Sequence, residues 1–200
     1  MILFLDTEFT DFIDCELISI GLVSEDGLHE LYLEVQNFDR SICNAFVQSA
    51  VWAHLGQIDG AVVRKTEIQA RLRIWFAILP DNVTIACDSQ HDRDLLADAL
   101  DGEWPPNFAD WLDLRCAMAS TEFGRAMAAH HTPEKPWHHA LYDAQAHRVG
   151  WLAWKITQEP RSKTQSAADT IEHLLAEMPP GVLPTVEGWD DMPDIGCEVP

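Results

Sequence analysis

An apolar run that ends in two carboxylates constrains this chain more than any other feature. Residues 2–6 read ILFLD, and Thr7 and Glu8 follow at once. A strand that is apolar at every position, rather than at alternate ones, is buried on both faces. Residues i and i+2 of a strand project from the same face, so Asp6 and Glu8 emerge together where the strand leaves the core. In α/β sheets that is where active sites gather. Two adjacent carboxylates repel each other unless a cation lies between them. Oxygen-only ligands suit Mg²⁺ or Mn²⁺.

The chain after this strand alternates between β and α signals. Residues 16–24 (ELISIGLVS) and 28–35 (LHELYLEV) have apolar and polar positions in alternation, and Glu25-Asp26-Gly27 between them reads as a hairpin turn. Residues 41–55 carry apolar Ile42, Phe46, Val47, Ala50 and Ala53 at helical spacing. A second helix is predicted over 67–79, capped by Thr66 with Gln69 three residues on, and stopped by Pro80. Residues 83–87 (VTIAC) predict a strand, 92–100 a helix, and 112–127 a short strand followed by a helix. Pro133 and Pro136 break the chain before a long helix at 139–156, whose predicted apolar stripe is Ala140, Ala144, His147, Trp151 and Trp154. The order βββ-α-β-α-(β)-α describes an α/β fold, a mixed sheet with an antiparallel hairpin edge flanked by helices.

Composition bounds the rest. With 200 residues, 47% of them hydrophobic, one globular domain is expected over 1–156. Residues 157–200 differ in character: a short helix at 167–177, then a proline-rich acidic tail that either stays disordered or packs through Val182, Leu183 and Trp189. No stretch of 18 apolar residues predicts a membrane span. MILFLDTEF lacks a basic segment and is not expected to be a signal peptide. The cysteines Cys15, Cys43, Cys87, Cys116 and Cys197 are scattered and form no CxxC pair, so neither a disulfide framework nor a cysteine zinc site is expected, and a reduced cytoplasm is the natural compartment. The net charge of −20 argues against a long nucleic-acid footprint, because phosphate contacts need a basic surface. An acidic enzyme still acts on nucleic acid where divalent metals neutralise its site and the contact is short.

Two more segments carry chemistry. Asp92 follows the VTIAC strand at the start of a helix, and Asp88 nearby is a rival for the same role. His138 and Asp143 are five apart and would diverge by about 140° on one helix. They serve one site only if His138 lies on the loop ahead of the helix, a late start that Pro136 favours. An imidazole titrating near neutrality suits proton transfer from an attacking water. The other histidines carry no Cys partner or HExxH spacing that would mark a zinc cluster.

D-x-E on the first strand, an Asp after a mid-chain strand and H-x-x-x-x-D late in the chain together resemble the DEDDh 3′→5′ exonuclease family, with its RNase H-like fold. The resemblance covers roughly 1–155, and LDTEFTDFIDCELISIGLVSEDG looks much like the corresponding run in the short single-domain exoribonucleases of that family. It implies that Asp6, Glu8, Asp92 and Asp143 hold two Mg²⁺ or Mn²⁺ ions and that His138 is the general base. The implied reaction is two-metal hydrolysis of single-stranded RNA or DNA, or of short oligonucleotides, from the 3′ end to 5′-mononucleotides. The resemblance also implies a homodimer. His91 precedes Asp92 where relatives often carry an aromatic, and Thr10-Asp11 stands where many carry Thr-Gly. Phe9, Thr10 and Phe12 are candidate substrate contacts, the two rings as stacking surfaces for a terminal base. Arg64 and Arg71, seven apart on one predicted helical face, are candidate phosphate contacts. Two other readings use the same features: an RNase H-type endonuclease, which has no need of His138, and a non-catalytic acidic DNA mimic, which needs spread acids and no catalytic constellation.

Overall fold

In a computed structural model, which describes residues 1–13 and 15–158, the ILFLD run lies in the interior of a six-stranded mixed sheet. The sheet has the order β4-β3-β2-β1-β5-β6. Its strands are β1 (Ile2–Phe9), β2 (Leu17–Ser24), β3 (Glu30–Gln36), β4 (Val62–Arg64), β5 (Val83–Cys87) and β6 (Phe108–Asp113). β1 pairs antiparallel with β2 and parallel with β5, so both its backbone edges are occupied. The chain divides into two units, Met1–Gln158 and Glu159–Pro200. The helix expected at 167–177 and the acidic tail lie outside the described residues.

Alternation along β1 assigns its side chains to two layers. Leu3 and Leu5 join Ile20, Leu22, Leu33, Val35 and Ile85 in a core closed by α2 (Lys65–Ala77) and α3 (Gln90–Ala99), which contribute Ile68, Leu72, Phe76 and Leu96. Phe4 points the other way, to Ala86, Leu114 and Trp151. That second face is covered by the long helix α6 (Ala140–Gln158). Asp6 and Glu8 share the parity of Phe4 and belong to the α6 face, whereas Thr7 belongs to the α3 face.

Several elements differ from their sequence signals. The span 41–55 is not one helix. Asn44 interrupts it, capping α1 (Ala45–Ala50) through Val47 N–H while its own N–H donates to Thr10 O. The strand β4 carried no sequence signal that set it apart; its three residues pair with β3 outside the hairpin. That pairing holds the backbone extended through Arg64, so α2 begins at Lys65. Glu67 rather than Gln69 completes the cap, accepting from Arg64 N–H. Gln69 instead donates to Leu100 O and ties α2 to the end of α3. α3 starts at Gln90 because Ser89 caps it. The 112–127 region resolves into β6, α4 (Arg115–Met118) and α5 (Thr121–His130). On α6 the buried positions are Ala140, Leu141, Ala144, Ala146, His147 and Gly150. Trp151 and Trp154, expected within the buried stripe, are partly exposed and pack on each other, with Trp151 also against Phe4.

At Gly21 the backbone of α6 lies directly against the sheet. Gly21 is paired with Asp6 on one side and Tyr32 on the other, so Asp6, Gly21 and Tyr32 form a cross-strand row beneath the start of α6. A Cβ at Gly21 would overlap the Ala140 carbonyl and the Leu141 N, backbone atoms that cannot rotate away. Gly21→Ala is therefore expected to destabilise the protein by at least about 2–3 kcal/mol, through displacement of α6. Urea unfolding of wild type and variant measures this; equal midpoints would show that α6 tolerates the added methyl.

Candidate active site

The carboxyl ends of β1 and β5, the first turn of α3 and the first turn of α6 converge at one end of the sheet. Asp6 and Glu8 arrive from β1, as alternation requires. Asp92 arrives from α3 and is 3% exposed. Its Oδ1 accepts from Thr7 N at 3.1 Å and from Thr7 Oγ1 at 2.6 Å. Thr7, between the two acids but facing the other layer, thus holds the third carboxylate against the strand. Asp88 is nearby but more open, its side chain 31% exposed and its Oδ2 3.9 Å from His147 Nε2.

α6 begins at Ala140, and His138 lies on the loop ahead of it. Asp143 falls in the first turn, with its N–H donating to His139 O at 3.0 Å. His138 has φ of 61°, a left-handed conformation that is uncommon for residues other than glycine, though histidine adopts it more readily than most. In this conformation His138 N donates to Asp143 Oδ2 at 2.9 Å, and the ring meets Phe46 edge-on at 4.8 Å. Donor atoms of Glu8, His138 and Asp143 all lie within 4.8 Å of one another. His139 is turned into the protein, stacked between Tyr32 at 4.4 Å and Tyr142 at 4.3 Å. Burial holds the His139 ring down to about 4, and burial, with His54 nearby, lowers His138 as well.

The electrostatics of the acids follow from their crowding. Burial pushes Glu8 up to about 8, helped by Asp143 and Asp92. Burial raises Asp6 well above the ordinary carboxylate range, with Asp143, Asp92, Glu8 and Asp88 adding to it. Asp92 and Asp143 are each pushed up to about 7 by burial, against the lowering effect of the hydrogen bonds from Thr7 and from His138 and His139 respectively. No cationic side chain among the described residues pairs with Asp6, Glu8 or Asp92 at ion-pair distance. Carboxylate oxygens with one imidazole, crowded and uncompensated, fit a hard divalent cation such as Mg²⁺ or Mn²⁺.

The other expected contacts divide. Phe9 and Phe12 meet edge-on at 5.3 Å, and His91, one residue before Asp92, stacks on Phe9 at 5.3 Å. Phe12 is 67% exposed, so the three rings present an aromatic surface beside the acids. Thr10 is fully buried, and its Oγ1 accepts from Glu16 N at 2.9 Å. Its side chain braces the β1–β2 loop. Arg64 and Arg71 are not gathered at the carboxylates. Arg64 ends β4, three strands from β1 and so about 14 Å across the sheet. It pairs with Glu67, and Arg71 is exposed further along α2. The sequence reading missed Thr7, whose place between Asp6 and Glu8 put it on the opposite face; Phe46, which it read only as part of a helix's apolar pattern; and His131, which arrives through a loop with no periodic signal.

No protein-family model matches the chain, and no curated protein matches its sequence. Among solved structures, one described as the crystal structure of full-length 3′-exonuclease matches with a TM-score of 0.51 and 14% identity, over 79% of this chain and 81% of that one. At that identity the likeness is one of fold: a mixed α/β architecture shared with an exonuclease. No described helix is long and apolar enough to cross a membrane.

The raised carboxyls make a signed prediction. A group whose folded pKa lies above its unfolded value stabilises the fold below the unfolded value and loses that contribution as pH climbs through the folded one. For Glu8, Asp92 and Asp143 the loss spans about pH 4 to 8. The lowered histidines act in the opposite sense, but only below their unfolded value of 6.5. Between about pH 7 and 8.5 the carboxyls therefore dominate. In EDTA, the melting temperature is expected to fall across that window, and to fall less in Glu8→Gln. A flat profile for the wild type would contradict the buried acid cluster.

Proposed function

We propose that this protein is a metal-dependent 3′→5′ exonuclease of the DEDDh type, hydrolysing single-stranded or short nucleic acid to 5′-mononucleotides. The observation that carries this reading is the gathering of Glu8, His138 and Asp143 within 4.8 Å, beside Asp6 and Asp92. The fold likeness to a 3′-exonuclease supports it independently of the motifs. Asp6, Glu8, Asp92 and Asp143 are the residues that would hold two divalent ions. Bound there, Mg²⁺ or Mn²⁺ supplies charge stabilisation for the reacting phosphate and acidifies a water.

The chain's own groups would do the rest. The His138 imidazole would accept a proton from the attacking water, a role supported by its left-handed backbone and by the edge-on contact of its ring with Phe46. Thr7 keeps Asp92 from swinging out of the site. The Phe9, Phe12 and His91 rings offer stacking surfaces for a terminal base. The preference for short single strands, with RNA ahead of DNA, rests on charge and on the resemblance to exoribonucleases. Among the described residues Arg64, Lys65, Arg73, Arg115 and Lys155 are paired with acids, which leaves fewer cations to meet the phosphates of a duplex. A salt slope of about one or two is expected, rather than the steep dependence of a long footprint.

The direct test is a 5′-labelled single-stranded RNA incubated with Mg²⁺ or Mn²⁺. A ladder shortening one nucleotide at a time from the 3′ end is expected, and EDTA should abolish it. Internal cleavage would favour an endonuclease, and full activity in EDTA would remove the metal-dependent reading altogether. His138→Ala should lower turnover by roughly 10²- to 10⁴-fold with the fold retained. His139→Ala should act mainly on stability, because that ring fills the Tyr32–Tyr142 stack. Asp92→Asn should be inactive while Asp88→Asn keeps substantial activity; the reverse pattern would reassign the third carboxylate to Asp88.

A further inference from the structure

The loop between α5 and α6 delivers a second histidine to Asp143. We propose that His131 is a positioning residue for Asp143, holding that carboxylate turned toward Glu8 and Asp6 in the orientation a divalent cation requires. The inference rests on the metal-dependent reading above.

The two oxygens of Asp143 have different neighbours. Oδ2 accepts the His138 N–H, while Oδ1 faces His131 Nε2 at 3.3 Å. The His131 side chain is 2% exposed, and Nε2 has no hydrogen bond of its own. A buried ring nitrogen left without such a bond is costly, so its placement against a carboxylate calls for an explanation. Packing fixes the ring from behind. It stacks on Trp137 at 3.7 Å, with Nδ1 3.2 Å from Lys135 O. The loop is stiff: Thr132 and Lys135 exchange backbone hydrogen bonds at 3.1 and 3.0 Å, and Thr132 Oγ1 accepts from Lys135 N. The loop is also registered to α6, since His130 Nε2 lies 3.2 Å from Gln145 Oε1. The fixed ring places Nε2 beside Oδ1, and this polar neighbour, not the bulk of the ring, limits the rotation of the carboxylate about its Cβ–Cγ bond. Outer-shell groups of this kind orient metal ligands, and their loss costs about 10- to 100-fold in metal affinity.

His131→Phe separates this role from simple packing, because phenylalanine keeps the stack on Trp137 and removes the nitrogen. Mn²⁺ binding is read by calorimetry and the fold by melting in EDTA. The phenylalanine variant is expected to melt like the wild type in EDTA and to bind Mn²⁺ about 10- to 100-fold more weakly. His131→Gln, whose amide can reach Oδ1, is expected to recover part of that loss. Should the phenylalanine variant not fold, His131→Asn decides, since its amide is too short to reach Asp143 and the same weakening is expected. Wild-type affinity in a folded Phe or Asn variant, or failure of both to fold, would make His131 core filler and overturn the proposal. Absence of Mn²⁺ binding by the wild type would instead refute the metal-dependent reading, so the two failures are distinguishable.

Discussion

The contact between the first turn of α6 and Gly21 is the constraint on which the site depends. Helices normally rest on a sheet through side chains, which keep the two backbones apart. Here the α6 backbone reaches the β2 backbone because position 21 has no side chain. The row Asp6–Gly21–Tyr32 runs across the strands beneath that point. With the helix seated over the central glycine, its flanking residues fall to either side: His139 onto Tyr32, and Asp143 beside Asp6. A larger residue at 21 would lift both together.

The cluster set up in this way is poorly suited to stability. Glu8 and Asp92 are buried, Asp6 and Asp143 partly so, and all four are mutually repelling and shifted upward. His138 adds a left-handed backbone, which costs about 1 kcal/mol or more. Such local conflicts persist only where the surroundings over-determine them. Here they do so from two layers. The α6 face supplies the His138 N–H to Asp143, and the α3 face supplies Thr7 to Asp92. β1 can hold both because it is paired on both edges and covered on both faces.

Much of this was legible in the sequence. The strand 83–87 matches β5 at both ends, and the long helix predicted at 139–156 overlaps α6 to within two residues at either end. The common face of Asp6 and Glu8, and the need for His138 to precede its helix, followed from strand and helix periods alone. These succeed because alternation, 3.6-residue spacing and proline breaks are properties of short segments. Where a segment's state depends on a partner, the signal failed. β4 exists because β3 offers it a free edge, and the 41–55 span breaks because Asn44 is bound to Thr10.

The sequence by itself determined the α/β layering, the face on which the paired carboxylates emerge and the loop position of His138, since each depends on neighbours a few residues away. Only the tertiary structure decided which groups meet. It buried Thr10 in a loop brace and left Arg64 on Glu67 at the far edge of the sheet. It chose His131, from among several histidines, to face Asp143. Those outcomes rest on the distance between a helix and a strand and on the path of a stiff loop. The first is set by Gly21 against Ala140, more than a hundred positions apart, and the second by contacts within and across the α5–α6 loop; no periodic pattern records either.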